Sequence, residues 1–237
     1  MPDFSKRSYQ KELLDSDSVP FEDIKQNMKE LDFINTYLGG HRVTLKGVRS
    51  FICKSTNEQM KPQIICEIGC GGGDNLRVIK KYCEKNKISV HLIGIDINPH
   101  CISYAQSREE NAGIEFIISD YNKVVFNEKP AVIFSSLFCH HFTNEELIQQ
   151  FNWMKEHAQL GFFINDLQRH WLAYASIKLL TGLFSKSYLV KNDAPLSVLR
   201  GFSKKDLLMI NNQLSIFNFQ LKWCWAFRWL LIFKHDR

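Results

Sequence analysis

No apolar run in this 237-residue chain approaches the roughly 20 residues needed to cross a bilayer. The first residues are polar and charged, so no signal peptide is expected. Seven cysteines stand at 53, 66, 70, 83, 101, 139 and 224, an odd number with no C-x-x-C among them, several of them inside apolar strands. That pattern argues against a disulfide frame or a zinc site and predicts reduced cysteine in a cytoplasmic chain. Net charge is only +5, and the basic residues form no dense stripe, so nucleic acid is not an expected partner. Internal repeats and low-complexity tracts are also missing. What remains, 45% hydrophobic and 23% charged residues, is an ordinary globular composition, enough for one large domain or a domain with a small cap.

Residues 1–58 lack any strand–turn–helix rhythm and read as an N-terminal helical cap. Its two helices run over about 21–38, with Ile24, Met28, Leu31, Phe33 and Ile34 apolar, and about 43–54, separated by Gly39-Gly40. Alternation begins in the core, residues 59–166. Strands are expected at 64–68, 90–96, 114–119, 131–136 and 162–166, with helices at about 99–111 and 144–157, the latter capped by Thr143 with Glu145 and Glu146 in its first turn. Residues 167–202 read as a lid insertion: an apolar helix over 171–184, then a polar loop over 185–200. Residues 203–237 supply a helix over about 202–210, with Ser203 as its cap, and two strands, about 217–227 and 229–234, meeting at Arg228 and so antiparallel. The class is α/β, a mostly parallel seven-stranded sheet with helices on both faces and one antiparallel C-terminal hairpin.

The richest stretch is Cys66-Glu67-Ile68-Gly69-Cys70-Gly71-Gly72-Gly73-Asp74, between the first strand and a helix. Glycines at 69, 71 and 73 let a ligand approach without meeting a Cβ. The dinucleotide fingerprint G-x-G-x-x-G fits neither register, because its sixth position falls on Asp74 or Leu76, and Asp74 would repel a phosphate at the helix N-terminus. The spacing E-x-G-x-G-x-G instead resembles the first motif of class I S-adenosylmethionine (AdoMet) methyltransferases of the small-molecule type, such as those of ubiquinone and menaquinone biosynthesis. The likeness is good over about residues 60–166 and weak elsewhere.

That resemblance implies a Rossmann-like fold with AdoMet as cofactor and S-adenosylhomocysteine as product. Glu67, Gly69, Cys70, Gly71 and Gly73 would cradle the methionine end. Asp96, ending the second strand, would take the ribose diol, since its two oxygens match vicinal hydroxyls. Ile97 would pack on adenine and Asp120 would meet its edge, with Tyr121 beside it, while Ser136 or Leu137 would face the amino-acid end.

The acceptor is less legible. The segment after the fourth strand, Ser135 to Phe142, lacks the prolines of nucleic-acid N-methyltransferases and the Pro-Cys of cytosine C5 enzymes, and it resembles the "LHHL"-like segment of small-molecule enzymes. His140 and His141 are candidate general bases for a phenol or enol, with helix capping or packing as their alternative roles. His170, four residues after Asp166, is a third candidate. Trp171 and Tyr174 on the apolar helix, and His41 and Arg42 in the cap, are candidate substrate contacts, and core packing or a solvated loop are the alternatives. The greasy lid suggests an aromatic or lipid-like acceptor; contact with a membrane surface is a further reading of the same stretch, though it lacks a strongly cationic face. The segments 31–47, 165–174 and 193–202 resemble a bacterial subgroup tied to polyketide or quinone-like phenolic products. The expected function is AdoMet-dependent methyl transfer to a small acceptor, with no metal. A tRNA or protein methyltransferase and a non-catalytic relative are the alternatives, and the oligomeric state is left between monomer and homodimer.

Overall fold

The computed structural model describes residues 2–16, 19–52, 61–214 and 219–236. Two helices open the chain, α1 (Phe21–Tyr37) and α2 (Gly40–Arg49). Gly39 breaks them because it takes a left-handed φ of 78° and caps α2. The second helix therefore begins three residues earlier than the sequence suggested, and the end expected at 54 lies outside the described residues.

The sheet is built from β1 (Gln63–Ile68), β2 (Val90–Asp96), β3 (Glu115–Ile118), β4 (Val132–Ser136), β5 (Gly161–Leu167), β6 (Phe219–Cys224) and β7 (Arg228–Lys234). Its order is β3-β2-β1-β4-β5-β7-β6, with β7 antiparallel to both its neighbours and the first five strands parallel. Strand order reverses between β1 and β4, where an open α/β sheet leaves a crevice at its carboxyl ends. The helices between strands are α3 (Asp74–Lys85), α4 (Pro99–Gln106) and α5 (Asn144–His157). The predicted helix over 99–111 splits, α4 giving way to a short 3-10 turn at Glu109–Asn111.

Side chains alternate across the strands and build two cores. Ile133, Phe162, Ile164 and Leu231 face α5 with Phe151 and Leu147. Val132, Phe134, Phe163 and Leu230 face α2 and α3 with Val43, Val48, Leu76 and Ile79. Gly47 lets α2 close on the sheet, since a Cβ there would fall 2.4 Å from the Phe163 ring. At the head of α5 the Thr143 hydroxyl accepts from the Glu146 amide at 3.3 Å and the Glu146 carboxylate accepts from the Thr143 amide at 2.7 Å, a reciprocal cap.

After β5 come α6 (Trp171–Phe184), α7 (Tyr188–Arg200) and α8 (Lys204–Leu214). Residues 185–200 were expected to be a polar loop, and most of them form α7 instead. Its buried face carries Leu189, Val190, Leu196 and Val198 together with Asp193 and Arg200. Those two charges are buried because they serve the N-terminal segment: Asp193 accepts from the Leu13 and Leu14 amides at 2.8 and 3.0 Å, and Arg200 donates to the Gln10 carbonyl at 2.6 Å. The β6–β7 turn falls at 225–227, so Arg228 lies inside β7 and not at the corner; the expected strand start at 217 is outside the described residues. Arg228 is buried because Asn35 accepts from it at 2.8 Å.

Candidate functional site

The glycine turn sits at the strand-order reversal. Gly69, Gly71 and Gly73 have φ of 68°, 50° and 73°, all in the left-handed region that favours glycine. The Gly69 and Cys70 amides both donate to the Ile95 carbonyl, at 2.8 and 3.1 Å, which ties the turn to β2. The Phe138 ring presses onto Gly69, where a Cβ would lie 2.2 Å from it, whereas a Cβ on Gly71 would meet only the Met28 sulfur, at 3.4 Å.

Glu67 lies between Gly94 and Phe134 in the sheet and is fully buried. Its Oε1 accepts from Asn75 Nδ2 at 3.0 Å, and its Oε2 has no partner among the described residues. Burial, with Asp74 and Asp96 nearby, pushes its pKa well above the carboxylate range. Asp96 ends β2, and its two oxygens accept from the Gly71 and Asn98 amides at 2.8 and 2.9 Å. Each oxygen keeps a second lone pair. Burial raises its pKa as well. Ile97 and Ile118, at the ends of β2 and β3, are 71% and 55% exposed, an unusual waste of apolar surface unless something flat covers it. Asp120 caps the short turn after β3 by accepting from the Asn122 amide at 3.1 Å, while Tyr121 turns inward against Trp153, ring centroids 5.0 Å apart. Ser136 is buried, its hydroxyl accepting from Asn165 Nδ2 at 3.1 Å, and Leu137 follows with φ 54°.

These residues fit AdoMet. A buried carboxylate oxygen without a partner suits the cofactor's ammonium, the open turn suits its methionine end, and the exposed isoleucines suit adenine. The turn would hold the methionine half, with the strand-end acids toward the ribose and base.

A second cluster stands after β4. His140 is buried, its Nδ1 2.8 Å from Asp166 Oδ1 and its Nε2 3.5 Å from Glu12 Oε1. Burial works against the imidazolium, but the Asp166 and Glu12 carboxylates outweigh it and push the pKa up to about 9. Asp166 is held below its ordinary range by His140 despite burial. At neutral pH His140 is therefore a cation with both nitrogens facing carboxylates, and this geometry does not suit the general base expected of it. His141 is partly open. Its Nδ1 lies 3.2 Å from Asp15 Oδ1 and its Nε2 3.8 Å from Glu12 Oε2. Arg7 and Arg200 fix the segment from behind: both donate to the His140 carbonyl at 3.2 Å, and Arg200 donates to the His141 carbonyl at 2.9 Å.

His170 stands apart as the cap of α6. Its Nδ1 accepts from the Leu172 amide at 3.2 Å and its ring stacks on Phe227 at 5.1 Å. Trp171 is exposed, and Tyr174 packs edge-on to Phe4 at 5.7 Å. His41 is buried behind the glycine turn, between Asn75 (3.2 Å) and Asp32 (3.2 Å), with Asp74 at 3.6 Å. Thr44 already donates to Asn75 Oδ1 at 3.0 Å, so both His41 nitrogens act as donors to acceptor oxygens. Its pKa is raised accordingly, against the opposing effect of burial. Thus His41 braces α2 against α3, and Arg42 points to solvent. Glu12, His140 and His141, and likewise Asp32, His41 and Asp74, bring metal-ligand atoms within 4.8 Å of one another. In each group the carboxylates face a histidine whose pKa they raise against the opposing effect of burial.

Sequence reasoning missed Glu12, Asp15, Arg7, Asn75 and Asn165. Asn75 was the most accessible of these, directly following the turn motif; Glu12 and Asp15 carried no local signal because they act across the whole length of the chain.

Comparison with known proteins agrees with this geometry. Residues 65–161 match the family model described as a methyltransferase domain. No curated protein matches the chain by sequence. Among solved structures, the plantazolicin methyltransferase BpumL in complex with SAH and a monoazolic desmethylPZN analog is similar at TM-score 0.63 and 17% identity, over 91% of this chain and 89% of that one. Magnesium protoporphyrin IX methyltransferase (ChlM) from Synechocystis PCC 6803 with bound SAM is similar at TM-score 0.55 and 10% identity, over 93% and 100%. Human N-acetylserotonin methyltransferase in complex with SAM gives 0.60 and 15%, over 92% of this chain and 57% of that one. The structural likeness establishes the Rossmann-like methyltransferase fold. With the family match over residues 65–161, the cofactor-binding core carries a methyltransferase domain on that fold.

Proposed function

We propose that this enzyme methylates a small aromatic or lipid-like acceptor, with His141 as general base. The observation that carries this is the setting of His141: partly open, at the carboxyl end of β4, with Asp15 on its Nδ1. That contact favours the proton on Nδ1 and leaves the Nε2 lone pair available. Glu12, 3.8 Å from Nε2, is beyond hydrogen-bond reach and does not consume it. When bound, AdoMet would supply an electrophilic methyl group carried on a sulfonium. The residues' own tasks are then to orient, exclude water and take the acceptor's proton. His141 takes it, and Asp15 and Glu12 stabilise the resulting imidazolium. His140, fixed by Asp166, positions His141 through their shared turn.

An apolar acceptor is supported by the exposed isoleucines and by the apolar residues that follow β5, Trp171 and Tyr174, the latter packed against Phe4. The structural neighbours are named as methyltransferases of plantazolicin, magnesium protoporphyrin IX and N-acetylserotonin. Cys66, Cys70, Cys83, Cys101, Cys139 and Cys224 are buried and unpaired, which fits a cytoplasmic protein.

The test is turnover on a panel of phenolic acceptors, read as S-adenosylhomocysteine release. His141→Gln is expected to lower kcat by about 10²–10⁴, with AdoMet affinity unchanged. His170→Gln is expected to change stability more than rate. Full turnover by the His141 variant would remove the base assignment.

A further inference from the structure

Among the described residues α6 packs mainly against α7, and most of its surface is left open. It is apolar almost around its circumference, yet only Ala173 and Thr181 of its 14 residues are buried. Leu179, Leu183 and Phe184 are 63%, 67% and 76% exposed. A helix apolar on all sides is normally buried in protein or in lipid. No described helix is long and apolar enough to cross a membrane, and α6 spans about 21 Å at 1.5 Å per residue, short of the roughly 30 Å hydrocarbon core.

Three features favour lipid as the occupant. First, residues 168–192 contain no aspartate or glutamate, and their exposed cations are Lys178, Lys186 and Lys191. Of the acids that reach this stretch, Glu30 accepts from the Lys186 and Ser187 amides at 3.0 and 3.1 Å, and Asp23 from the Tyr188 hydroxyl at 3.1 Å. Second, aromatic residues with polar edges bracket the helix, Trp171 at its start and Tyr188 just past its end, both exposed. Such residues suit the headgroup level of a bilayer. Third, the apolar surface continues onto the hairpin: His170 lies between Trp171 (6.0 Å) and Phe227 (5.1 Å), Trp223 donates to Gln168 at 2.7 Å, and Trp225 is exposed. A rigid protein partner covers one side of a projecting helix, whereas fluid acyl chains and headgroups close around it.

We propose that α6 docks this protein on an anionic lipid surface, lying in the interfacial plane with its leucines among the acyl chains and its lysines at the headgroups. This does not depend on the identity of the acceptor.

The experiment is cosedimentation of the full chain with phosphatidylcholine vesicles, with and without about one-third phosphatidylglycerol. Binding to the anionic vesicles is expected, at least about tenfold weaker on the neutral ones. A Leu179→Asp/Leu183→Asp variant should lose binding to both while still binding AdoMet, because both side chains are solvent-facing. Lys178→Glu/Lys186→Glu should remove the preference for anionic lipid. No cosedimentation by a wild-type chain that still binds AdoMet would overturn the proposal. A concentration-dependent dimer that the leucine variant dissociates would equally overturn it, assigning the face to a second copy.

Discussion

The Nδ1 atom of His140 stands 2.8 Å from Oδ1 of Asp166, and the backbone amide of His140 donates to the other oxygen of that carboxylate at 3.2 Å. One buried acid thus fixes both the ring and the backbone of the residue preceding His141. Because the folded pKa of His140 is about 9, above the ordinary imidazole value of about 6.5, its contribution to stability is full below pH 6.5 and is lost as pH rises through 9. Asp166, held low, contributes above the ordinary carboxylate range and loses that contribution in acid. The loss on the alkaline side is on the order of 3 kcal/mol. Urea unfolding at a series of pH values should show it in the wild type, and Asp166→Asn should be less stable at pH 6 and nearly flat from there to pH 9. An equal slope in both proteins would contradict the pairing.

Asp96 has a different task, tying the glycine turn to β2 through the Gly71 amide. Asp96→Ala should weaken AdoMet binding by on the order of 2–4 kcal/mol, through the loss of charge-assisted hydrogen bonds and of the turn's anchor. Calorimetry reads this directly, and unchanged affinity would remove Asp96 from the site.

Two glycines with similar backbone angles should respond very differently to alanine. Gly113, φ 82°, has nothing within 4 Å of an added Cβ and should lose about 1–2 kcal/mol from backbone strain alone. Gly69, φ 68°, adds a 2.2 Å collision with the Phe138 ring and should lose clearly more, and its AdoMet affinity should fall. Equal destabilisation by Gly113→Ala and Gly69→Ala would mean that the Phe138 contact is not maintained in solution.

The alternating strands, the turn motif and the strand-end acids were legible because each is a local pattern with a fixed period or spacing. Helix α5 came with its cap written in Thr143 and Glu146. Helix α7 was hidden, since Pro195 sits inside it and two of its buried positions are Asp193 and Arg200, polar residues whose partners are far away in the chain. The setting of His140 was hidden for the same reason: nothing around it in sequence announces Glu12 and Asp166. Arg228 gave a usable hint, a lone charge between Phe227 and Trp229, which marks a buried group needing acceptors and not a turn. Helix α6 was recognised as apolar, but its exposure depends on what packs over it, which periodicity alone does not report.

Binding of AdoMet by the glycine turn and Glu67 is checked by calorimetric titration of the wild type and Glu67→Gln with AdoMet, S-adenosylhomocysteine and NADH. The wild type should bind one equivalent of either sulfur compound in the micromolar range and no NADH. The Gln variant, which replaces a buried and partly unpartnered carboxylate, should keep or gain stability yet bind AdoMet on the order of 2–3 kcal/mol more weakly. A stable Glu67→Gln protein with undiminished AdoMet affinity, or a wild type that binds NADH in preference, would contradict the account.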